Sequence, residues 1–570
     1  MQKRILLGFF LSVGLTASGC NGKEGIASSG VEQEVPSQTP SQPVPESEPA
    51  VGAVIDGARI AWDYSSQVTI DDKGGCYARV VRLPDGSHMC AYETGGTVTV
   101  AGSSDGGMTW NDRKVVIGAY NHGGTVINAA NAEICVLSDG TLLCGANFRP
   151  SAEGVAPWSV AVSRSEDGGK TWSERDIVYD ADVYSANGCW EPYFLELPNG
   201  DVHLYFANEG PYVNSSEQEI SCLISSDKGR TWSRDKKVVS FRSGFRDGMP
   251  VARIFNDQIV VAIEDNVYGN FVPFTVRCQL SDPWRVPVTG DSADREPALL
   301  EKLQLRKTYG GAPYLLKLPS GEAVMSYQRS YSDNWELSLM EVVIGDKEAR
   351  NFGRPSRPFS VPNGGNCLWN SVGLLDDRTI AALGSLNDGK KTLPVLKRGV
   401  IMADMCVQDG EVKDLPVFIG AKGSGSLRAG IAMTDSDFLF KVDVKDSDLY
   451  IGRDRSDGVY IYLDAVNKGW SSCFAGVYRI WLPVSGYAVI SEWKYGRWMD
   501  MDPVSAVKEE TSEGYAISAV LPKSVLGDIN SNRIRIGMTL CNYSYTEEGY
   551  EEDLVDMNKN EPCTWMPFTL

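Results

Sequence analysis

The chain of 570 residues carries 54 lysines and arginines against 74 aspartates and glutamates, a formal net charge of −20 at pH 7. No basic stretch interrupts this negative charge, which argues against a nucleic-acid partner, because phosphate binding relies on clustered positive charge. The 58 glycines, 28 prolines and 14 tryptophans stand among short apolar segments and turn signals, a texture typical of a large all-β protein. With three histidines in the whole chain, we expect neither a metal site nor an organic cofactor.

The first twenty residues have the form of a targeting signal. Two basic residues precede an apolar run from Ile5 to Leu15 that is too short for a permanent membrane span, and small residues lead to Cys20. This pattern resembles the lipobox of bacterial lipoproteins, which implies lipidation of Cys20; a plain secretory signal is the alternative. Residues 21–54 are predicted to be a flexible tether. We therefore expect an extracytoplasmic lipoprotein, at the outer membrane or cell surface, whose contact with the membrane is the lipid anchor.

A hairpin-turn motif recurs six times between residues 55 and 405. Apolar strands flank each copy, and consecutive copies lie 54 to 63 residues apart. The second residues of the six turns are Pro84, Ser138, Pro198, Asn256, Pro319 and Asp376. Six similar units of four strands predict a six-bladed β-propeller over residues 55–405, because radial repetition removes long exposed sheet edges.

Three units contain the pattern S-x-D-x-G-x-T-W. The copies are Ser103–Trp110, Ser165–Trp172 and Ser225–Trp232. In such a turn the Asp accepts hydrogen bonds from backbone amides, Gly supplies a permissive φ and Trp buries its ring. We therefore interpret Asp105, Asp167 and Asp227 as structural. The pattern is the Asp box, and residues 55–405 resemble the sialidase-like (BNR) propeller superfamily.

The Asp-box turns and the repeated hairpin turns lie on one face of such a propeller, so the opposite face carries its mouth. Residues seven and five positions before each turn are expected to share a strand face and to line the axis. The candidate substrate-binding residues at this mouth are Tyr77, Arg79, Asn131, Tyr193, Arg246, Asp247, Tyr314, Arg329 and Trp369. The aromatic residues can stack on sugars or pack the core. The arginines can bind hydroxyls, clamp a carboxylated sugar, or pair with Glu133 or Asp247 to hold the wall.

Two carboxylates are candidates for glycosidic bond cleavage, which needs one group to protonate the leaving oxygen and one to attack or to activate water. Glu191 stands in a Trp-Glu-Pro context on the third predicted blade, and Glu264 follows an apolar strand on the fourth. Apolar surroundings raise the pKa of a carboxyl group and make it a competent acid. The alternative is that both are solvated or salt-bridged glutamates of the rim.

Two branches of the superfamily compete at this point. True sialidases open the first blade with Arg-Ile-Pro, where this chain has Cys76, and they carry an acid/base Asp in a segment that here holds none, between Glu93 and Ser103. The chain is more similar to the exo-arabinanases of glycoside hydrolase family 93. That resemblance implies a retaining mechanism with Glu191 as general acid/base and Glu264 as nucleophile. It also implies a tyrosine near the nucleophile, for which Tyr309 and Tyr314 are both candidates.

The repeat stops after Met402, and residues 420–426 are predicted to be a linker. Residues 428–570 are predicted to form a second all-β module, a β-sandwich that resembles the family 9 carbohydrate-binding modules. Those modules hold sugars with paired tryptophans. The candidates here are Trp470, Trp481, Trp493 and Trp498. A stabilising domain without a ligand is the alternative.

These observations predict an exo-acting, retaining glycoside hydrolase that removes α-linked sugars from the ends of an oligo- or polysaccharide, with arabinan as the first substrate to test. Two alternatives stay open. One is an exo-α-sialidase on the same fold, and the other is a glycan-binding surface lipoprotein whose propeller has lost catalysis.

Overall fold

The computed structural model describes residues 50, 52–300, 308–332, 334–361, 364–421, 423, 425–452, 455–545 and 549–570. Cys20, the predicted signal and nearly all of the predicted tether lie outside these residues. Within them, no helix is long and apolar enough to cross a membrane. The helical segments described are five 3-10 turns, Tyr64–Ser66, Ser185–Asn187, Trp335–Leu337, Lys523–Val525 and Pro562–Thr564.

The predicted six-bladed propeller is confirmed. In each blade, neighbouring strands pair antiparallel from the inner strand A to the outer strand D, and consecutive A strands contact one another around the ring. The blades, from A to D, are Cys76–Arg82, His88–Thr94, Thr97–Ser103 and Asn111–Ile117; Thr125–Val136, Leu142–Pro150, Ser159–Ser165 and Asp176–Asp180; Cys189–Glu196, Val202–Asn208, Glu219–Ser225 and Lys237–Ser240; Asp247–Phe255, Gln258–Asp265, Val272–Gln279 and Arg295–Pro297; Tyr309–Lys317, Ala323–Ser330, Leu339–Ile344 and Gly353–Ser356; and Asn366–Leu374, Thr379–Asn387, Thr392–Met402 and Arg59–Trp62. Tyr120–His122 extends blade 2, and Val68–Thr69 pairs with strand C of blade 6.

Strand D of blade 6 comes from the N-terminal side of the propeller and closes the ring. Arg59–Trp62 pairs antiparallel with the end of strand C, so that Trp62 stands opposite Gly399. Gly399 is required there, because a Cβ at this position would lie 2.7 Å from the Trp62 ring. The indole Nε1 donates to Ser356 Oγ at 3.0 Å on blade 5. The N-terminal strand is thereby bonded to blade 6 through its backbone and to blade 5 through the Trp62 side chain.

The Asp boxes confirm the structural interpretation of their aspartates. Asp105 Oδ1 accepts the N–H groups of Met108 and Thr109, and Oδ2 accepts the Thr109 hydroxyl at 2.6 Å. Asp167 and Asp227 make the equivalent bonds in blades 2 and 3. The hydrogen bonds from Thr109 lower the pKa of Asp105 to about 2, so its charge is fixed by the turn.

Every A strand carries a β-bulge where it reaches the mouth. Its register slips at the same place in all six blades, and the first residue of each bulge has φ between +50° and +57°. These residues are Tyr77, Asn131, Glu191, Met249, Ala312 and Trp369. A left-handed conformation is costly for residues other than glycine, and a bulge re-aims a side chain at the edge of a sheet. The expected strict alternation along the A strands is therefore wrong at the mouth.

The C-terminal region is a β-sandwich, as predicted. Its strands are Gln408–Asp409, Val417–Gly420, Ser426–Met433, Asp437–Lys445, Gly458–Asp464, Val477–Pro483, Ala488–Lys494, Arg497–Thr511, Gly514–Pro522, Arg533–Asn542, Tyr550–Asp553 and Met566–Thr569. The long strand Arg497–Thr511 pairs with Ala488–Lys494 through its first half and with Gly514–Pro522 through its second half. It thus passes from one layer to the other, and the two layers enclose a single apolar core.

Two predicted boundaries need correction. The predicted linker 420–426 is bounded by paired strands, since Val417–Gly420 pairs antiparallel with Ser426–Met433 and its apolar residues join the core of the sandwich. The described end of the predicted tether also packs on the sandwich, where the Gly52 N–H donates to the carbonyl of Gly469. The buried guanidinium of Arg59 bonds to carbonyls of Val555 and Thr564, so propeller and sandwich are held together by buried polar contacts.

Candidate active site

Glu191 and Glu264 come from neighbouring blades and both lie at the mouth. Glu191 is the bulge residue of blade 3, and Glu264 is the penultimate residue of strand B in blade 4. Glu264 Oε2 accepts the N–H of Ala312 at 2.8 Å. Two glycines make room for this carboxylate, because a Cβ on Gly248 would lie 3.0 Å from Oε1 and one on Gly311 would lie 2.7 Å from Oε2. The backbone at Gly248, Gly311 and Ala312 therefore packs closely around the Glu264 carboxylate.

Both carboxyl groups have raised pKa values, and the charge of Glu264 contributes to the rise at Glu191. Burial first and the charge of Glu264 second raise the pKa of Glu191 to about 8, against the opposing effect of Arg149. Burial raises the pKa of Glu264 to about 7, while the N–H of Ala312 and Arg246 oppose the rise. Glu191 is thus the group that holds a proton longer, and Glu264 is the one that ionises first. Environments that push two carboxyl pKa values apart are typical of an acid and nucleophile pair.

The structure distinguishes the two candidate tyrosines. A Cβ on Gly311 would collide with both the Tyr309 hydroxyl and Glu264 Oε2, so these two groups flank the same point. Burial raises the pKa of Tyr309, and the charge of Glu264 adds to the rise, which keeps the hydroxyl protonated. The hydroxyl of Tyr314 instead donates to Glu133 Oε1 at 3.2 Å. Tyr309 is therefore the tyrosine beside Glu264.

Three predicted substrate ligands lie deeper, in the wall of the axial cavity. Arg79 is 2% exposed; its Nε lies 3.5 Å from Glu133 Oε2 and its guanidinium 3.8 Å from the centre of the Tyr77 ring. Tyr193 and Tyr314 are likewise buried and pack edge to face, with ring centres 6.0 Å apart. Arg79, Tyr193 and Tyr314 are thus occupied in holding the wall, which is the alternative that the sequence had left open.

The remaining charged candidates also have partners. Arg246 donates to both carboxylate oxygens of Glu209 and to Gln218 Oε1 at 2.6 Å. Arg329 pairs with Glu341 at 3.2 Å. Asp247 is fully buried and is bound by Arg295, so its prediction as a substrate ligand is wrong. Its carboxylate is satisfied by the ion pair with Arg295 of blade 4 and by the hydroxyl of Ser240 of blade 3.

Arg149 is a mouth residue at the end of a strand B that was not among the candidate substrate-binding residues. Its Nη2 donates to Asn131 Oδ1 and its Nε to Asn147 Oδ1 at 3.3 Å, while its guanidinium lies 5.3 Å from the centre of the Trp190 ring. Asn131 is thus at the predicted mouth, as a partner of this arginine. The signal was present in the sequence, since Arg149 stands at the end of strand B, at the same edge as Glu264 in its own blade.

A row of aromatic side chains extends from the mouth toward blades 5 and 6. Tyr77 and Trp369 have ring centres 6.4 Å apart, and Trp369 is followed by Trp335 at 5.8 Å. Trp335 is 40% exposed, so this row leads from the interior of the mouth to solvent. Trp369 therefore lies where the sequence predicted a sugar-stacking residue, whereas Tyr77 is 5% exposed and the Arg79 guanidinium lies against its ring.

The rim of the mouth is uneven. The connection between strands B and C has ten residues in blade 3 but four in blade 6 and two in blade 1. A groove of about 400 Å³ opens at this low part of the rim, between blades 6 and 1. Trp369, Thr94, Asn387 and Thr392 are among the residues that line it. In the described part of the chain, no three His, Cys, Asp or Glu side chains come together as a metal site.

Comparison with known proteins supports the propeller assignment. The family model described as a BNR repeat-like domain matches residues 87–234 and 140–337, which confirms the resemblance to Asp-box propellers. A search of curated proteins gives no match.

Among solved structures, a protein of unknown function from Dyadobacter fermentans is 18% identical with a TM-score of 0.46, over 61% of this chain and 100% of its own. An α-L-arabinofuranosidase of Fusarium graminearum is 17% identical with a TM-score of 0.44, over 61% and 98%. A Trypanosoma rangeli sialidase is 12% identical with a TM-score of 0.41, over 91% and 92%.

Proposed function

We propose that the protein is an exo-acting, retaining glycoside hydrolase whose substrate is a neutral α-linked glycan, with linear arabinan as the first candidate. The observation that carries the proposal is the pair formed by Glu191 and Glu264 at the mouth: the charge of Glu264 acts on Glu191, and the Tyr309 hydroxyl lies beside Glu264. Retention requires an acid and a nucleophile about 5–5.5 Å apart, on either side of one glycosidic bond.

In the proposed reaction, the ionised Glu264 attacks the anomeric carbon while Glu191 gives its proton to the departing glycosidic oxygen. This forms a glycosyl ester on Glu264 and releases the rest of the chain as an alcohol. Glu191, now ionised, takes a proton from water, whose oxygen attacks the same carbon and frees Glu264. The higher pKa of Glu191 supports its assignment as the acid. Tyr309 is placed to stabilise charge on Glu264 as the ester forms and breaks.

The pairing of the arginines favours a neutral sugar over a carboxylated one. A clamp for a sialic acid carboxylate needs guanidinium groups free to make bidentate bonds. Arg79, Arg246 and Arg329 each face a protein carboxylate, so these three are not free to form a bidentate clamp. Arg149, at the same mouth, bonds to two asparagines instead. This argument supports arabinan above the sialidase alternative.

We also propose that the low rim between blades 6 and 1 binds the part of the glycan chain that extends from the sugar at the mouth. The mouth is closed in by long connections on blade 3 and open toward the groove, a shape that suits removal of end units. The lipid anchor at Cys20, the surface location and a glycan-binding role for the C-terminal sandwich complete the proposal. With these three features, the enzyme would be held at the cell surface and bound to the polysaccharide whose terminal sugars it removes.

The test is product release by the purified chain from linear arabinan and, separately, from a sialylated oligosaccharide. Arabinose or arabinobiose from the first substrate is the expected result, and loss of release in Glu191→Gln and Glu264→Gln identifies the pair. Glu174→Gln is the control, because Glu174 is an exposed glutamate that follows an Asp box and lies outside both the mouth and the groove. Release of sialic acid would move the assignment to the sialidase alternative, and wild-type rates in both glutamine variants would refute the catalytic pair.

A further inference from the structure

The outer face of one layer of the C-terminal sandwich is aromatic. Tyr460 and Trp481 stand opposite each other on adjacent strands with ring centres 4.3 Å apart, and Trp493 and Trp498 do the same at 5.2 Å. All four are half-buried, whereas the alternate residues of the same strands fill the core. Trp470, another predicted sugar-binding residue, is instead 7% exposed. A half-exposed aromatic cluster of this kind marks an interaction surface.

Arg479 lies in the middle of this aromatic face. Its guanidinium is 5.0 Å from the centre of the Tyr460 ring and 4.9 Å from that of Trp498, so two rings flank it. Within the described residues it has neither an ion pair nor a hydrogen bond, and its Nε is buried without a partner. Aromatic rings hold a guanidinium in place but leave its N–H groups unsatisfied.

We propose that Arg479 and the rings around it form a binding site for a carboxylate-bearing sugar, a uronic acid unit of a glycan. The inference rests on the glycan-binding role proposed for the sandwich and adds the charge of the ligand. The planar fork of Arg479 matches a carboxylate bidentately, and the flanking rings offer flat apolar surfaces for the sugar ring. Stacking also orders the guanidinium before the ligand arrives, which lowers the entropic cost of binding.

Neighbouring acidic groups do not occupy this site. Asp500 accepts the hydroxyl of Ser491 at 2.8 Å, Asp553 accepts that of Thr539, and Glu551 pairs with Lys559 at 2.7 Å. Each has another partner and none of the three bonds to Arg479, whose guanidinium is the cation between the rings. A sugar carboxylate would supply the anionic hydrogen-bond acceptor that the Arg479 guanidinium does not find within the described residues.

The experiment uses the full chain with Glu264→Gln, so that binding is measured without hydrolysis and independently of the proposed reaction. Calorimetry compares a galacturonic acid trisaccharide with its methyl ester and with arabinotriose. We expect the acid to bind about tenfold or more tightly than its ester, which is the scale of a charge-assisted hydrogen-bonded pair. Added salt should weaken binding of the acid alone.

Variants assign the preference to one side chain. Arg479→Gln should bind acid and ester equally, and Arg479→Lys should keep only part of the preference because it keeps the charge without the fork. Arg497→Gln, an exposed arginine in the turn of the same sheet, is the matched control and should bind like the parent. Thermal unfolding verifies that each variant folds. Equal affinity of the parent for acid and ester, or an unchanged preference in Arg479→Gln, would overturn the charge assignment; binding of none of the three sugars would overturn the glycan-binding role as well.

Discussion

The buried carboxyl of Glu191 makes a prediction that needs no knowledge of the substrate. Its pKa rises from 4.5 to about 8, chiefly through burial and then through the charge of Glu264. At 1.36 kcal/mol per pKa unit, the shift corresponds to at most about 5 kcal/mol. Because the side chain keeps some contact with solvent, we expect about 2–3 kcal/mol. The folded state prefers the protonated form, so this stability is complete below pH 4.5 and is lost as the pH rises through 8.

Glu191→Gln removes this loss while keeping the shape of the side chain. The variant should match the wild type near pH 5 and exceed it by about 2–3 kcal/mol near pH 9, seen as a higher midpoint in urea followed by tryptophan fluorescence. Glu174→Gln, an exposed glutamate that follows an Asp box, is the control and should track the wild type at both pH values. Parallel curves for Glu191→Gln and the wild type would show that Glu191 ionises as freely as in solution, and the reasoning about the acid would fail.

Three further predictions concern other parts of the propeller. Tyr309→Phe should lower kcat by about a hundredfold with little change in KM, because a hydroxyl beside the nucleophile acts on the transition state. Thr392→Trp should fill the groove and reduce kcat/KM for long arabino-oligosaccharides but not for arabinobiose, whereas Lys390→Trp on the adjacent exposed loop should affect neither. Asp227→Ala should cost about 1–3 kcal/mol in thermal unfolding and leave kcat unchanged, because its bonds serve the turn alone.

The architecture could be predicted because its causes are local. A two-stranded unit with a tight turn repeats at nearly constant spacing, and each Asp box satisfies its own backbone amides within eight residues. Neither feature depends on distant contacts. The six blades, the position of the mouth and the placement of Glu191 and Glu264 at that mouth all follow from this periodicity.

The contacts between blades could not be predicted in the same way. Whether Arg79 meets a ligand or Glu133 depends on two blades adjacent in the ring, and the Arg295 that binds Asp247 comes nearly fifty residues later in the chain. The bulges were also missed, although they decide which way Glu191 points. An alanine or a proline after five of the six bulge residues was visible in the sequence, but strand alternation alone gives no reason for a left-handed residue before it.

The bulges also explain why a carboxylate at the position of Glu264 is not by itself a sign of catalysis. The end of strand B carries a side chain that accepts the bulge N–H of the next blade: Ser385 for Tyr77, Glu93 for Asn131 and Gln328 for Trp369. Glu264 performs the same task for Ala312. Glu264 differs from Glu93 in its neighbours. The Tyr309 hydroxyl lies beside it, and its charge acts on both Glu191 and Tyr309. Glu264 thus accepts a bulge N–H like its counterparts in other blades. It is a candidate nucleophile because the bulge of the preceding blade places a second carboxyl group, that of Glu191, at the same mouth.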